Sequence, residues 1–208
     1  PFYGFFHYLA GAIHAMWFRG EVVGTENFPT SGPFLIASNH ASHLDPTFVG
    51  GQVAKQMRFF GRKSLWNNKL IGWWLDQVES IPVERDSGDV GAIKRVLQAL
   101  KADRAVVLLP EGTRSPDGHL QKPKAGVGLM ACKTGVPVVP CRVYDSFAAF
   151  PKGSTFPRFG TPVTVVFGAP MQAADYDDPS LGKARYETAA QHIMDRIAAL
   201  PRPVYAVI

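Results

Sequence analysis

The sequence predicts a single α/β domain: a largely parallel or mixed sheet flanked by helices. Three observations carry that expectation. Short apolar runs recur at 34–38 (FLIAS), 57–60 (MRFF), 80–83 (SIPV), 105–109 (AVVLL), 136–143 (VPVVPCRV) and 163–167 (VTVVF), as strands buried on both faces should read. Helical patterns lie between them, and strands alternating with helices give a sheet covered on both sides. The chain has 208 residues, 46% hydrophobic and 19% charged, enough for one domain to bury its own core.

Taken in order, the opening PFYGFFHYLAGAIHAMWF contains no Lys, Arg, Asp or Glu through Phe18. It lacks the positive start and small-residue cleavage site of a signal peptide. As a helix its residues would span roughly 27 Å, slightly short for a bilayer crossing. Its aromatic content (Phe2, Tyr3, Phe5, Phe6, Tyr8, Trp17, Phe18) fits a helix lying in a membrane interface, with packing on the domain's own core as the alternative. Residues 1–20 are therefore set apart from a domain over 21–208. Asp45-Pro46 resembles a helix N-cap with Pro at the first helical position, leaving His40 to Leu44 as loop. Ile93, Val96, Leu97 and Leu100 make one apolar helical stripe. KAGVGLMACKTG reads as a helix closed by Gly135, with Pro137 preventing continuation. Tyr186, Ala190, Ile193, Ile197 and Leu200 form a last stripe before Pro201.

A net charge of +5 and a pI near 9.3 suit an anionic partner. Without a nucleic-acid motif or dense basic tract, a phosphorylated substrate or an acidic membrane surface is preferred. Two cysteines, Cys132 and Cys141, make no disulfide framework, so a reducing compartment is the default.

In open α/β sheets ligands gather at the carboxyl ends of strands, where PFLIAS runs into the loop NHASHLD. On one continuous helix, residues five apart would point about 140° away from each other. A loop instead lets Asp45 hold one ring nitrogen of His40 and leave the other free as a general base. Two other readings of the spacing stand beside it. Asp45 could merely cap a helix, or His40, His43 and Asp45 could be metal ligands. Ser42 as a hydrolase nucleophile is weaker, because no G-x-S-x-G elbow is present. After the most apolar run comes LLPEGTRSPDG. There Gly112 permits a tight turn and Arg114 offers a planar fork to phosphate, with Lys63, Arg85, Lys122 and Lys124 as further cations.

Together these segments resemble the glycerolipid acyltransferase family, specifically the 1-acyl-glycerol-3-phosphate (lysophosphatidic acid) acyltransferases. NHASHLD matches the family's N-H-x-S-x-x-D block, with its H-x4-D core on His40 and Asp45. SIPVER matches the second block, ending in Arg85. LPEGTRS matches the third almost letter for letter, and GVPVVPC matches the apolar fourth. The order agrees, and the resemblance covers roughly residues 20 to 170.

The resemblance implies transfer of a fatty acyl group from an acyl thioester, acyl-CoA or acyl-carrier protein, to the free hydroxyl of 1-acyl-glycerol-3-phosphate. The product would be phosphatidic acid. It implies His40 as general base oriented by Asp45, with the phosphate held by Arg114 assisted by Lys63 or Arg85. Glu111, Gly112 and Thr113 would form the substrate-binding turn, Glu111 holding Arg114 or a backbone turn. No metal or cofactor is implied. The fourth block supports the fold or lines the acyl path, and His43 occupies a variable position outside the chemistry. A bilayer-resident substrate implies a peripheral or monotopic protein on the cytoplasmic face of the cell membrane. LWNNKLIGWWL, with Trp66, Trp73 and Trp74, would add anchors, and Lys55, Arg58, Arg62, Lys63 and Lys69 would meet anionic headgroups. Alternatives keep the chemistry on another acceptor (glycerol-3-phosphate, another lysophospholipid or a lyso-aminolipid). Others change the class, to a non-catalytic lipid-binding or transfer protein or a metal-dependent lipid hydrolase.

Overall fold

A computed structural model describes residues 2–53, 55–77, 80–83 and 90–203. Arg85 lies outside the described residues, as do the side chains of Phe2, Tyr3, Arg62 and Trp74. The first half of the chain forms α1 (Phe2–Trp17), β1 (Glu21–Val23), β2 (Leu35–Ser38), α2 (Asp45–Gly50), β3 (Met57–Arg62), α3 (Lys69–Gln77) and β4 (Ile81–Val83). The second half forms α4 (Val90–Lys101), β5 (Ala105–Leu108), α5 (Ala125–Thr134), β6 (Val138–Tyr144), α6 (Ser146–Ala149), β7 (Thr164–Phe167), α7 (Ala173–Tyr176) and α8 (Arg185–Ala199).

The strands make one seven-stranded sheet in the order β1-β7-β6-β2-β5-β3-β4. All neighbours are parallel except β6 and β7. The apolar runs all became strands, trimmed or extended at their ends. The 136–143 run begins only at Val138, because Gly135 closes α5 in the left-handed region and Val136-Pro137 is the connection. β1 was not expected, since three residues carry too little pattern to read as a strand.

Alternation along the central strands divides the core. Leu35, Ala37, Val106, Leu108 and Val138 face α4, α5 and α8, whose Val96, Leu100, Ala131, Ile193 and Ile197 are buried there. Ile36, Val107, Val139, Cys141, Val165 and Phe167 face the other way, against Phe48 and Val49 of α2 and Phe18 just past α1. Helices therefore cover both faces.

Pro140, inside the central strand β6, breaks no ladder. Its carbonyl accepts the Gly168 N–H at 2.8 Å, so its nitrogen faces that same side, beyond the end of β7 at Phe167. The fourth block is thus core strand, with Val138 and Val139 fully buried.

Helix α1 is docked rather than detached, with Ile13 packed against the core. Its inner face also carries polar side chains. The His14 ring is buried, with Nε2 2.9 Å from the Val163 carbonyl and Nδ1 3.1 Å from the Gln52 amide. His7 Nδ1 reaches the Gly50 carbonyl at 3.0 Å. The outer face is apolar, with Phe5 62%, Tyr8 77%, Met16 76% and Trp17 50% exposed. Among the described residues, no helix is long and apolar enough to cross a membrane.

Topology sets where α1 ends. β7 runs antiparallel to β6, pairing Thr164 with Tyr144, and β1 pairs Glu21 with Thr164. The C-terminal end of α1 and the 150–163 connection therefore sit at the carboxyl edge of the parallel strands. Trp17 packs edge-on against Phe159 at 5.2 Å there, and the Val163 N–H donates to Phe18.

Candidate active site

Because β2 pairs in parallel with β5, and β5 with β3, the segments leaving these strands emerge side by side at one edge. His40 and Asp45 leave from β2, Glu111 to Arg114 from β5, and Lys63 from β3, at the start of an exposed 3₁₀ turn (Lys63–Asn67). Lys63 sits one strand further from the His40 loop than the Arg114 turn does.

The β2 exit loop is built around one carboxylate oxygen. Oδ2 of Asp45 accepts the Ala41 and Ser42 N–H groups, both at 2.7 Å, and lies 2.9 Å from His40 Nδ1. The Asp45 side chain is fully buried and that of His40 is 14% exposed. A carboxylate can only accept, so Nδ1 carries the hydrogen and Nε2 keeps its lone pair. Asp45 is not the N-cap its position before Pro46 suggested. It is the first residue of α2, and Leu44 occupies the cap position in a helical conformation. The physical reason is that its carboxylate turns back to the loop donors instead of toward the helix amides. Asn39 anchors the start of the loop with both ends of its amide, Nδ2 to the Val143 carbonyl at 3.0 Å and Oδ1 from the Val143 N–H at 2.7 Å.

The β5 exit turn is tied to this loop through the peptide of His40. The His40 N–H donates to Glu111 Oε1 at 2.8 Å, and its carbonyl accepts the Ser115 N–H at 2.7 Å. Glu111 is 2% exposed, and its Oε2 accepts the Gln121 side-chain amide at 2.9 Å and the Gln121 N–H at 3.3 Å. Both of its oxygens thus serve N–H groups, one of them on the neighbouring loop rather than within its own turn. Burial pushes the Glu111 carboxyl above its ordinary pKa, and the His40 and Gln121 donors oppose that rise. Gly112, at φ +68°, makes the turn that lets Glu111 point inward while Thr113 and Arg114 stay half-buried.

His43 lies closer to the chemistry than its variable position suggested. It is exposed, and its ring is 5.3 Å from that of Phe150. Its pKa is lowered first by desolvation, then by the positive charge of Arg114 and by His40, with Asp45 opposing them. Arg114 therefore stands near enough to the His43 imidazole to act on it electrostatically. Sequence reasoning named His43 but set it outside the chemistry, and gave Asn39 no role beyond the first letter of its block; Gln121 it missed, because no local pattern marks that residue. Among the described residues, no three or more His, Cys, Asp or Glu side chains are arranged to hold a metal ion.

Sequence comparison places residues 19–144 within the acyltransferase family. This chain belongs to the acyltransferase family. The chloroplastic 1-acyl-sn-glycerol-3-phosphate acyltransferase LPAT1 of Arabidopsis thaliana is 32% identical over 74% of this chain and 45% of its own length. The 1-acyl-sn-glycerol-3-phosphate acyltransferase of Bacillus subtilis is 29% identical over 75% of each. The chain thus spans about half the length of its plant relatives. The 1-acyl-sn-glycerophosphate acyltransferase of Thermotoga maritima has the same fold, with a TM-score of 0.70 over 97% of this chain and 80% of that one, at 24% identity.

Within this family member, neither cysteine stands at the His40 edge in a reactive state. Burial and then Asp177 push the Cys132 thiol of α5 up to about 11, and Cys141 is fully buried in β6. The placement of Arg114 has a direct consequence. Replacing it with Ala removes a positive charge that disfavours the His43 imidazolium, so His43 should titrate at higher pH than in the wild type. An NMR titration of the ring protons reads this, and an unmoved His43 would separate it from Arg114.

Proposed function

We propose that this chain is an acyltransferase moving a fatty acyl group from an acyl thioester to the free hydroxyl of 1-acyl-glycerol-3-phosphate. The observation that carries the reading is the His40–Asp45 contact, which leaves Nε2 available beside the Arg114 turn. The names of the relatives support the acceptor.

His40 Nε2 takes the proton of the acceptor hydroxyl as its oxygen attacks the thioester carbonyl carbon. Asp45 keeps the ring in the correct tautomer and favours the imidazolium that forms. The C–S bond then breaks as the ester forms, and the departing thiolate takes the proton from His40. A thioester is already activated, so the scheme needs no acyl-enzyme and no cofactor, the acyl-CoA or acyl-carrier protein being a co-substrate. Arg114, with Lys63 assisting from β3 and Arg85 from the segment after β4, would grip the phosphate and fix the hydroxyl near His40. Gly112 and Thr113 would shape that turn.

The acceptor and product are bilayer residents, and the apolar surface lies where they would arrive. Trp17, Phe156 (77% exposed) and Phe159 (61%) crowd the edge that carries His40, with Arg19, Lys152 and Arg158 among them. Past β3, Leu70 (76%) and Trp73 (52%) are exposed on α3. Rings at an interface with cations beside them suit anionic headgroups. Residues 1–20 thus form the interfacial segment of a peripheral or monotopic enzyme at the cytoplasmic face of the cell membrane, and residues 21–208 its catalytic domain.

His40→Ala should lower thiol release from acyl-CoA and lysophosphatidic acid by about 10²–10⁴-fold with an unchanged melting profile. In the same assay Arg114→Ala should chiefly raise the acceptor KM. Full activity in His40→Ala would remove the base from the scheme. Replacing Tyr8, Met16 and Phe156, each at least 76% exposed, together with Ser should reduce flotation with anionic phospholipid vesicles. Equal flotation would remove the apolar surface from membrane binding.

A further inference from the structure

Glu111 is buried within the recognised third block, but the group that holds it is not part of any block. Gln121 lies ten residues further on, where the loop returns toward α5. Its side-chain amide donates to Glu111 Oε2 at 2.9 Å and to the Thr113 carbonyl at 3.2 Å, while its own N–H adds a third donor at 3.3 Å to Oε2. The loop ends are closed beside it by the Lys124 N–H on the Pro110 carbonyl at 2.8 Å. Gln121 therefore bridges the inner and outer halves of the Glu111–Arg114 turn. It also leaves Glu111 Oε1 for the His40 N–H.

We propose that Gln121 is a positioning residue for the reaction: through the Glu111 carboxylate it fixes the peptide of His40, and so the ring that acts as base. This deepens the proposed function and rests on its reading of His40. None of these Gln121 hydrogen bonds reaches the His40 ring, so its influence on that ring passes through Glu111, while its bond to the Thr113 carbonyl steadies the turn. An ionised Glu111 accepts a charge-assisted bond from the His40 N–H and adds negative charge near the ring that must become an imidazolium. A protonated Glu111 does neither as well. Burial already favours the protonated form, and the donors from His40 and Gln121 oppose it. The charged or titratable groups around this carboxylate are His40, His43 and Asp45 on the β2 loop and Arg114, Lys122 and Lys124 on its own loop. Of these, His40 acts on it directly. No other neutral side chain is hydrogen-bonded to Glu111 among the described residues.

Two substitutions of similar size pull the site in opposite directions. Gln121→Leu deletes both side-chain bonds and leaves the backbone N–H. Glu111 then protonates at higher pH, and the acid limb of the kcat profile moves to higher pH. At neutral pH kcat falls on the order of tenfold, the loss expected of one hydrogen bond to a charged group. Activity then recovers toward the wild type as pH is raised, while the donor KM and the melting temperature stay near their wild-type values. Gln121→Glu places a second carboxylate against Glu111. The pair can share one proton at lower pH, but ionisation of both drives Glu111 away, so this variant loses activity on the alkaline side.

The experiment measures thiol release from acyl-CoA with lysophosphatidic acid across pH for the full chain, the two Gln121 variants and His40→Ala, with thermal melts alongside. Opposite tilts of the two profiles support the proposal. Profiles that superimpose on the wild type, or an equal loss at every pH in both variants, would overturn it while leaving the role of His40 intact. A wild type that transfers nothing, or a fully active His40→Ala, would overturn the reading of the site and this proposal with it.

Discussion

The candidate site depends on the two hydrogen bonds made by the peptide group of His40. Its N–H goes to Glu111 and its carbonyl receives the Ser115 N–H, both across a boundary between two loops. Parallel strands deliver their exit loops to the same edge, but that alone leaves the loops free to splay. A peptide group bonded at both ends to the neighbouring loop removes that freedom at the residue whose ring has to be placed. The cost of burying Glu111 and Asp45 is offset by the donors they receive, five N–H groups from backbone and amide side chain and one from the His40 ring.

What the sequence made legible follows from which signals are local. Six apolar runs became six strands, because burial on both faces writes itself as an uninterrupted apolar stretch. The stripe on Ile193 and Ile197 became α8, and Gly135 ended α5, because helical periodicity and left-handed turns are also local. The H-x4-D spacing pointed to a His40–Asp45 contact for a geometric reason that holds in the fold. Asp45 as a helix cap was a local reading overridden by three N–H groups supplied from behind it. Its donors come from residues 40 to 42, and no propensity scale reports which way a carboxylate will turn. Glu111, Gln121 and Asn39 act on partners 10 to 104 residues away. Strand order brings Asn39 to Val143 and His40 to Glu111 and is not written in any short segment, while Gln121 reaches Glu111 by the way one loop folds back on itself.

The mixed inner face of α1 shows the same limit from another side. Its lack of charge could be read either as an interfacial helix or as a helix on its own core; the fold docks it on the domain and leaves an apolar outer face. His7 and His14 point inward and reach the backbone carbonyls of Gly50 and Val163, the second of which also accepts the Glu21 N–H. Ile13 shares that contact, while Phe5, Tyr8, Leu9, Met16 and Trp17 remain outside. Leaving them in water has a hydrophobic cost that burial in a lipid interface would recover. The direction of the chain adds weight to this, since the helix ends at the edge where the strands release His40.

The distribution of charge within the site gives the chemistry its direction. Two buried carboxylates, Asp45 and Glu111, lie on the inner side of His40, while Arg114 and His43 lie toward the rim. Arg114 disfavours the imidazolium of His43 beside it. On the proposed reading, a phosphate held at Arg114 would offset that cation, so an acceptor bearing a phosphate would change the charge of the site as well as being held by it. The two carboxylates would then be the nearest uncompensated charges to His40 when the acceptor hydroxyl gives up its proton. A neutral alcohol of the same shape would bind without that change. On the proposed reading, selectivity for a phosphorylated acceptor is thus expressed in the proton-transfer step as well as in binding.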